Sequence, residues 1–427
     1  MDRALPERAR TRGHTAALAA AGAMVRGPTP HAVLLSGPAG VGKTTLARDL
    51  AAGLLCTAPA PADRPCRACR GCRMVAHGGH PDLHLLGPEG PGAQIVIGGR
   101  DAKTRGVRDL TEALAMMPME GGARVAIVSA AHRMNEDAQA ALLKTLEEPP
   151  AGVTIILCAD DEDRLLPTVL SRCARLRLGR VARRDVEAIL LERGIDDVAL
   201  AGRLARISGG RPGVALAYAR SPDAVRARGE LARGFLDWLR ATPSARLAAV
   251  RAATPTAADL LDALETATAA DDEAADPAAL AEAIPGAASG RGRTRSAPRH
   301  GSSGSRAEAP GSSAETDPAP EVDRDADDDT PARAVPAARR RRAAETLLEV
   351  WMEVARDLAL VAADGARSVR DPDLLEEFGT AAAGLGADEP AAFLRRLARG
   401  AELVAGNVAP ELVLDALVLA WPRPRAA

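Results

Sequence analysis

The chain has 427 residues and a formal net charge of −2, with 47% hydrophobic residues but only 2% aromatic residues. At about 100–200 residues per domain, this length predicts two to four domains, with cores built mainly from alanine, leucine and valine. The near-neutral charge excludes a global attraction to nucleic acid or to an anionic membrane. No apolar run approaches the roughly 20 residues needed to span a bilayer, and the charged residues 1–12 precede no hydrophobic stretch, so we expect a cytoplasmic protein.

A complete phosphate-binding loop of the pattern G-x-x-x-x-G-K-[ST] is the first motif along the chain. It consists of Gly37, Pro38, Ala39, Gly40, Val41, Gly42, Lys43 and Thr44. Residues 32–35 predict a buried strand before it and residues 44–55 a helix after it, which is the context that phosphate binding requires. Glycines let backbone N–H groups surround phosphate oxygens, Lys43 neutralises β and γ charge, and Thr44 offers a hydroxyl to Mg²⁺. We therefore expect ATP or ADP here, with Mg²⁺ if a triphosphate is bound; a glycine-rich turn without function is the alternative.

Four of the six cysteines form a second motif with the spacing Cys56-x9-Cys66-x2-Cys69-x2-Cys72. In a reducing cytosol such a cluster indicates a metal site rather than a set of disulfides. Four thiolates fit tetrahedral Zn²⁺ and leave no open position for a catalytic water, so the predicted zinc is structural. Incidental clustering and a redox role are the alternatives. We disfavour the redox role because neither C-x-x-C pair is expected at a thioredoxin-like turn from strand to helix.

Strand-like and helix-like stretches alternate through the first half of the chain. The strand-like runs are at residues 82–86, 94–97, 124–128, 154–158 and 174–178, and the helix-like stretches are at 107–116, 136–147 and 165–172. This alternation predicts a parallel α/β sheet. The strand at 124–128 is followed by Ser129 and Ala130, with no acid to hold magnesium or to activate a water. We therefore expect a chain that holds a nucleotide without hydrolysing it.

From residue 182 the pattern becomes helical. Helix-like stretches are at residues 185–193, 199–208, 211–219, 231–239, 247–270, 343–363, 372–384, 389–406 and 410–421. Between residues 271 and 338 the composition changes to alanine, proline, glycine, serine and segregated charge, which predicts disorder. The arginine run Arg339–Arg342 follows, and we interpret it either as a contact to DNA phosphates or as the solvated start of a helix.

Three features together resemble bacterial DNA polymerase III clamp-loader subunits. They are the segment Ala-Leu-Leu-Lys-Thr-Leu-Glu-Glu-Pro-Pro at 141–150, the triplet Ser171-Arg172-Cys173 and the four-cysteine insert. The resemblance covers residues 13–220 and, through residues 407–412, reaches the chain end outside the insertion. It implies an α/β AAA+ phosphate-loop domain at 1–180 with a zinc module at 56–72, a small helical lid at 181–220, and an all-α collar domain at 221–427 interrupted by a disordered insertion at 271–338. The implied partners are the motor and delta subunits of a hetero-pentameric ring, with the sliding clamp and primer-template DNA reached through the complex, and no membrane.

The departures from the family's motor subunits indicate which branch the chain resembles. The acidic Asp-Glu pair of the motors falls on Ser129 and Ala130. Their sensor threonine aligns near Ala159 or Asp160, neither of which is equivalent, and the carboxylate of Asp160 would repel a γ-phosphate. Their lid arginine falls on Gly213, while Arg211 lies two residues early. This pattern is similar to the delta-prime branch, the stator of the polymerase holoenzyme. We therefore expect no ATP hydrolysis by the isolated chain.

Arg172 is the residue to which the resemblance gives a catalytic role, in trans. In the family this arginine reaches across the subunit boundary as an arginine finger and stabilises charge on the γ-phosphoryl group of a neighbour. The alternative is a surface arginine that caps the helix at 165–172 through its dipole.

Two other functions stay open from the sequence. One is an active ATPase motor of the gamma/tau type, favoured by the intact loop and opposed by Ser129, Ala130 and Gly213. The other is a non-enzymatic nucleic-acid-binding module that uses zinc and the arginines at 291–299 and 339–342.

Overall fold

The computed structural model of the chain describes residues 8–89, 94–98, 104–120, 122–273, 336–386 and 388–423, with no side chains described for 268–273. Nearly all of the segment 271–338 therefore lies outside the described residues, together with the arginines at 291–299 and the disorder predicted there. Within the described residues, no helix is long and apolar enough to cross a membrane.

A five-stranded parallel sheet occupies the first part of the chain. Its strands are β1 (Ala32–Ser36), β2 (Leu83–Leu86), β3 (Arg124–Val128), β4 (Val153–Ala159) and β5 (Ala174–Arg177). They lie in the order β2-β3-β4-β1-β5, and every neighbouring pair is parallel. All residues of β1, β3 and β4 are buried, because helices cover both faces of a parallel sheet. The predicted parallel α/β sheet is confirmed.

The strand predicted at 94–97 is wrong. Gln94 and Ile95 lie in bridges rather than in a strand ladder, and Ile95 pairs with Met134 through an isolated bridge. The carbonyl groups of Val96 and Ile97 instead accept hydrogen bonds from the N–H groups of Val107 (3.1 Å) and Arg108 (2.8 Å). Because these carbonyls satisfy the free N–H groups at a helix start, they are not available to a strand ladder.

Helices pack on both faces of the sheet. They are α1 (Thr15–Arg26), α2 (Lys43–Leu54), α3 (Arg70–Ala76), α4 (Val107–Leu114), α5 (Glu136–Glu147) and α6 (Pro167–Leu170). One apolar cluster joins α1 and α2 to one face, and a second joins α4 and α5 to the other. Helix α5 begins at the predicted residue because the side chain of Asn135 accepts a hydrogen bond from the N–H of Ala138 at 2.9 Å. The sequence analysis missed α1, where alanines obscure the apolar periodicity, and the short α3.

After β5 the described chain is helical. The helices are α7 (Arg183–Glu192), α8 (Val198–Ile207), α9 (Pro212–Arg220), α10 (Pro222–Asp237), α11 (Pro243–Glu273), α12 (Ala337–Ala362), α13 (Leu375–Ala383), α14 (Glu389–Ala405) and α15 (Pro410–Leu419). A single apolar cluster runs through them from Val181 to Trp421. The ring of Trp421 lies 5.3 Å from that of Trp238 and 4.9 Å from that of Trp351. The predicted lid and collar thus share one core, and the boundaries at 180 and 220 stay predictions.

Helix α12 carries a buried carboxylate that holds three arginines. Glu353 accepts hydrogen bonds from Arg211 (3.2 Å), Arg228 (3.2 Å) and Arg370 (3.4 Å). Burial acts to raise the pKa of Glu353, but Arg228, Arg211 and Arg370 outweigh it and lower that pKa. The ionised carboxylate therefore joins the start of α9, helix α10 and the segment after α12 through charge-assisted hydrogen bonds.

Candidate functional site

The phosphate loop leads from β1 into α2 and adopts the backbone that its glycines allow. Gly37, Gly40 and Gly42 have φ angles of 143°, 77° and 105°, which side-chain-bearing residues rarely adopt. At Gly37 a Cβ atom would also lie 2.0 Å from the carbonyl oxygen of Leu178, so only glycine fits. The loop residues Ala39–Thr44 line a cavity of about 430 Å³, with the residues that follow β3 and β4 on its other side.

The charged side chains that line the cavity are mainly positive. Its cationic side chains are Arg10, Arg12, Lys43, Arg48, Arg67 and Arg193. Among the described residues that line it, the carboxylates are those of Asp49 and Asp160. Burial and the neighbouring Arg67 lower the pKa of Arg10, an effect that a bound anion would relieve. The cavity is therefore suited to a polyanion of the nucleotide type.

Lys43 is already fully hydrogen-bonded within the chain. Its side chain is buried, and its ammonium donates to the carbonyl oxygens of Gly37 at 2.6 Å and Pro38 at 2.7 Å. An oxygen of Asp160 lies 2.7 Å from the same nitrogen. An ammonium has three N–H donors, so these acceptors satisfy all of them.

No acid stands at the end of β3, as the sequence predicts. Ser129 donates its hydroxyl hydrogen to the carbonyl oxygen of Leu86 at 3.3 Å, and Ala130 has a left-handed backbone with a φ of 52°. Both residues line the cavity, so a hydroxyl and a methyl group face it there rather than carboxylates.

Position 213, on the lid side of the cavity, likewise carries no arginine, because it is a glycine. The N–H of Gly213 donates to the carbonyl oxygen of Gly40 at 2.8 Å, so the start of α9 closes directly on the phosphate loop. Arg211 is buried in the helical core, where Glu349 and Glu353 pair with its guanidinium. These two carboxylates therefore hold the side chain of Arg211 in the helical core.

The four cysteines of the insert converge. Their sulfur atoms all lie within 4.8 Å of one another, and those of Cys56 and Cys69 are 3.9 Å apart. Four sulfurs bound to Zn²⁺ at about 2.3 Å would lie about 3.8 Å apart at the corners of a tetrahedron. The N–H groups of Cys66, Cys69 and Cys72 point at the sulfurs of Cys56, Cys66 and Cys69, at 3.4, 3.3 and 3.3 Å. The donor set and its spacing therefore fit a structural zinc ion.

Cys69 caps the N-terminus of α3, so the C-x-x-C pair of Cys69 and Cys72 lies at a helix start, as a redox pair would. Burial acts to raise the pKa of Cys69, but hydrogen bonds from the backbone of Cys72 and Thr57 outweigh it and lower that pKa to about 5. A thiolate formed so readily is a good metal ligand. Two further sulfurs stand at the same point, which favours metal binding over redox exchange.

Arg67 links the cysteine module to α2, the helix that follows the phosphate loop, and the sequence analysis missed this contact. Arg67, which has a left-handed backbone with a φ of 60°, pairs with Asp49 on α2. Asp49 is 1% exposed and also accepts from the N–H (2.9 Å) and the hydroxyl (2.7 Å) of Thr11. No local sequence pattern connects these residues, because they meet only through the fold.

Arg172 lies on the surface after α6, where the structure gives a four-residue helix rather than the predicted one at 165–172. Its guanidinium contacts an oxygen of Glu147 at 2.6 Å and donates to the carbonyl oxygen of Thr168 at 2.8 Å. The hydrogen bond to the carbonyl oxygen of Thr168 in α6 is the contact that the helix-capping alternative predicts. The contact with Glu147 shows that an acid already holds the guanidinium in the isolated chain.

The arginine run at the start of α12 is mostly paired within the chain. Arg339 contacts Asp262, Arg340 contacts Glu411 at 3.3 Å, and Arg342 contacts Glu265. These pairs favour the reading of the run as a helix start over that of a DNA contact.

Comparison with known proteins relates the sheet-bearing part of the chain to subunits of DNA polymerase III. Residues 19–182 match the family described as DNA polymerase III, delta subunit. The delta-prime subunit of Pseudomonas aeruginosa is 41% identical over 145 residues, which is 34% of this chain and 42% of that protein. The delta-prime subunit of Escherichia coli is 38% identical over 190 residues, or 44% and 54% of the two chains. The resemblance to the clamp-loader family, with delta-prime subunits among the relatives, is confirmed for this part of the chain.

The aligned regions span about half the length of these relatives. The tau subunit of Salmonella typhimurium is 38% identical over 159 residues, so identity alone does not separate delta-prime subunits from tau subunits. A DNA polymerase III gamma subunit-related protein of Thermotoga maritima has 15% identity and a TM-score of 0.33, and the match covers 93% of this chain and 96% of that one.

Proposed function

We propose that the chain is a stator-type, delta-prime-like subunit of the DNA polymerase III clamp loader that supports ATP-dependent loading of the sliding clamp. It holds nucleotide in the phosphate loop without hydrolysing it and supplies Arg172 to the ATP site of a neighbouring motor subunit. The observation that carries the proposal is an intact phosphate loop facing Ser129 and Ala130 where a motor needs two acids.

The chemistry of hydrolysis supports this assignment. A water attacking the γ-phosphorus needs a positioned base, and magnesium needs anionic ligands. The carboxylates among the described lining residues are both engaged. Asp49 is buried against Arg67 and Thr11, and Asp160 is paired with Lys43. Neither is placed to activate a water.

Arg172 supplies the part of the mechanism that acts outside the chain. Its guanidinium lies at the surface, pairs with the carboxylate of Glu147 and donates to the carbonyl oxygen of Thr168 and the hydroxyl of Ser171. A γ-phosphoryl group of a neighbour can accept two hydrogen bonds from a guanidinium and carries more charge than a carboxylate, so Arg172 would exchange Glu147 for it on assembly. The partners in this proposal are the motor and delta subunits of a five-membered ring, with the clamp and primer-template DNA bound through the ring.

The experiment is an Arg172→Ala variant in the reconstituted complex. We expect unchanged assembly and a partial fall in total ATPase activity, because one motor site loses a group worth roughly 10³–10⁵ in rate while the others keep theirs. Arg172→Lys should rescue poorly, since it keeps the charge but loses the planar fork. The matched control is Arg177→Ala, an exposed arginine of β5 that pairs with Glu162. Wild-type hydrolysis and clamp loading by the Arg172→Ala complex would leave helix capping as the role of this residue.

The intact phosphate loop favours one second candidate, an active motor of the gamma/tau type. The two candidates differ in the isolated chain, where the stator proposal expects no ATPase activity above background. Turnover typical of AAA+ motors that is abolished by Lys43→Ala would establish the motor instead.

A further inference from the structure

Asp160 lines the cavity, although the proposed stator role does not require a carboxylate there. It follows β4 at the carboxyl edge of the sheet, and its side chain is 38% exposed and lines the cavity. One carboxylate oxygen lies 2.7 Å from the nitrogen of Lys43, the cation that a phosphate loop directs at the β and γ phosphates. The acid therefore stands where an anionic ligand group would meet that cation.

His132 fixes this acid in position. The backbone N–H of Asp160 donates to Nδ1 of His132 at 3.1 Å, so the imidazole proton is on Nε2, which lies 3.7 Å from the other carboxylate oxygen. Burial lowers the pKa of His132 to about 4, although Asp160 opposes the shift. The ring is neutral at pH 7 and leaves the charge of Asp160 to be balanced by Lys43.

We propose that Asp160 is a built-in anion that replaces the γ-phosphate at Lys43, so that the cavity accepts a nucleoside diphosphate and rejects a triphosphate. The inference rests on the part of the proposed function that places nucleotide in the phosphate loop. Two like charges about 4 Å apart repel by about 4 kcal/mol at an effective dielectric constant of 20, and solvent at the partly exposed Asp160 reduces this. A triphosphate would also have to share Lys43 with the carboxylate.

Asp160 repels a diphosphate less strongly than a triphosphate. The terminal phosphate of the diphosphate can be bound by the backbone N–H groups of the loop and of the N-terminus of α2, whereas Asp160 contacts the side chain of Lys43. The cationic side chains around the cavity add attraction for either nucleotide. A stator built this way would keep one nucleotide state while its neighbours cycle between triphosphate and diphosphate.

The test is calorimetric titration of the full isolated chain with ADP and with ATP, each with and without Mg²⁺, in the wild type and in Asp160→Asn. The wild type should bind ADP more tightly than ATP. Asp160→Asn should raise the affinity for ATP about tenfold or more relative to that for ADP, because the amide has the same shape without the charge. Asp161→Asn is the matched control, since Asp161 is adjacent but pairs with Arg164 at 3.7 Å.

Several results would overturn the proposal. Asp160→Asn could change both affinities alike or neither, including the case in which neither protein binds nucleotide. Mg²⁺ alone could bring the wild-type ATP affinity to that of ADP, which would make Asp160 a metal ligand. If Asp160→Asn fails to unfold cooperatively, Asp160→Ser is titrated in its place. The ring assay of Arg172→Ala does not depend on this selectivity, so each proposal can fail while the other stands.

Discussion

Removing the guanidinium of Arg67 should destabilise the phosphate-loop helix although Arg67 belongs to the cysteine module. Arg67 pairs with Asp49, and the side chains of the two residues are 23% and 1% exposed. In Arg67→Ala a buried carboxylate loses its charged partner. The effect should appear in the stability of the sheet-bearing part of the chain, with zinc content unchanged.

The loss of stability that we expect in Arg67→Ala depends on the hydrogen bonds that Asp49 keeps. Breaking a buried ion pair by deleting one partner typically costs about 3–5 kcal/mol. Here the carboxylate still accepts from the hydroxyl of Thr11 and from the N–H groups of Arg10 and Thr11, so we expect the lower figure of about 2 kcal/mol. Asp49→Asn removes the charge and leaves Arg67 to water, so the double variant should recover about 1 kcal/mol of the sum of the single effects.

The assay is urea unfolding followed by circular dichroism, with tryptophan fluorescence recorded in parallel. All three tryptophans lie in the helical core, so a shift seen by fluorescence alone would place the effect elsewhere. Arg73→Ala is the control, because Arg73 is an exposed arginine on α3 and should change stability by about 0.5 kcal/mol or less. A double-mutant coupling between Arg67 and Asp49 that is indistinguishable from zero would refute the reasoning.

Two further predictions concern the zinc site and the buried carboxylate. Metal analysis should find one zinc ion per chain, bound by the four converging cysteines, in wild type and in Cys173→Ser, and none in the Cys66→Ser, Cys69→Ser double variant, whose two remaining thiolates cannot close the site. Absence of zinc from protein purified without chelator would contradict the assignment. Glu353 has a lowered folded-state pKa, so its contribution to stability is present above its unfolded pKa of about 4.3 and is lost as the pH falls through the lower folded value. Glu353→Gln should therefore be less stable at pH 7 by about 3 kcal/mol and should lose less stability on acidification below pH 4 than wild type does, measured by tryptophan fluorescence in urea. A wild-type acid dependence in Glu353→Gln would show that other carboxylates dominate.

Local chemistry in the sequence was sufficient for the elements that hold the site. The phosphate loop is recognisable because three glycines at fixed spacing allow a backbone that other residues rarely adopt, and Lys43 follows them directly. The buried strands β1, β3 and β4 appear as continuous apolar runs because both of their faces are covered. The start of α5 is set by Asn135 capping its own helix. The spacing of the four cysteines likewise predicts a cluster that the structure brings together.

Tertiary structure alone decided what surrounds those elements. The contact of Asp160 with Lys43, the contact of Arg67 with Asp49 and the capture of Arg211 by Glu349 and Glu353 each join residues far apart in the chain. The carbonyl groups of Val96 and Ile97, in the predicted strand at 94–97, instead accept from the N–H groups of Val107 and Arg108 at the start of α4. Glycine turns, helix caps and the apolar pattern of a strand depend on neighbouring residues, so they can be predicted from the sequence. An ion pair between distant residues forms because a charge that packing has buried needs a partner. No periodic pattern in the sequence predicts which residue that partner is.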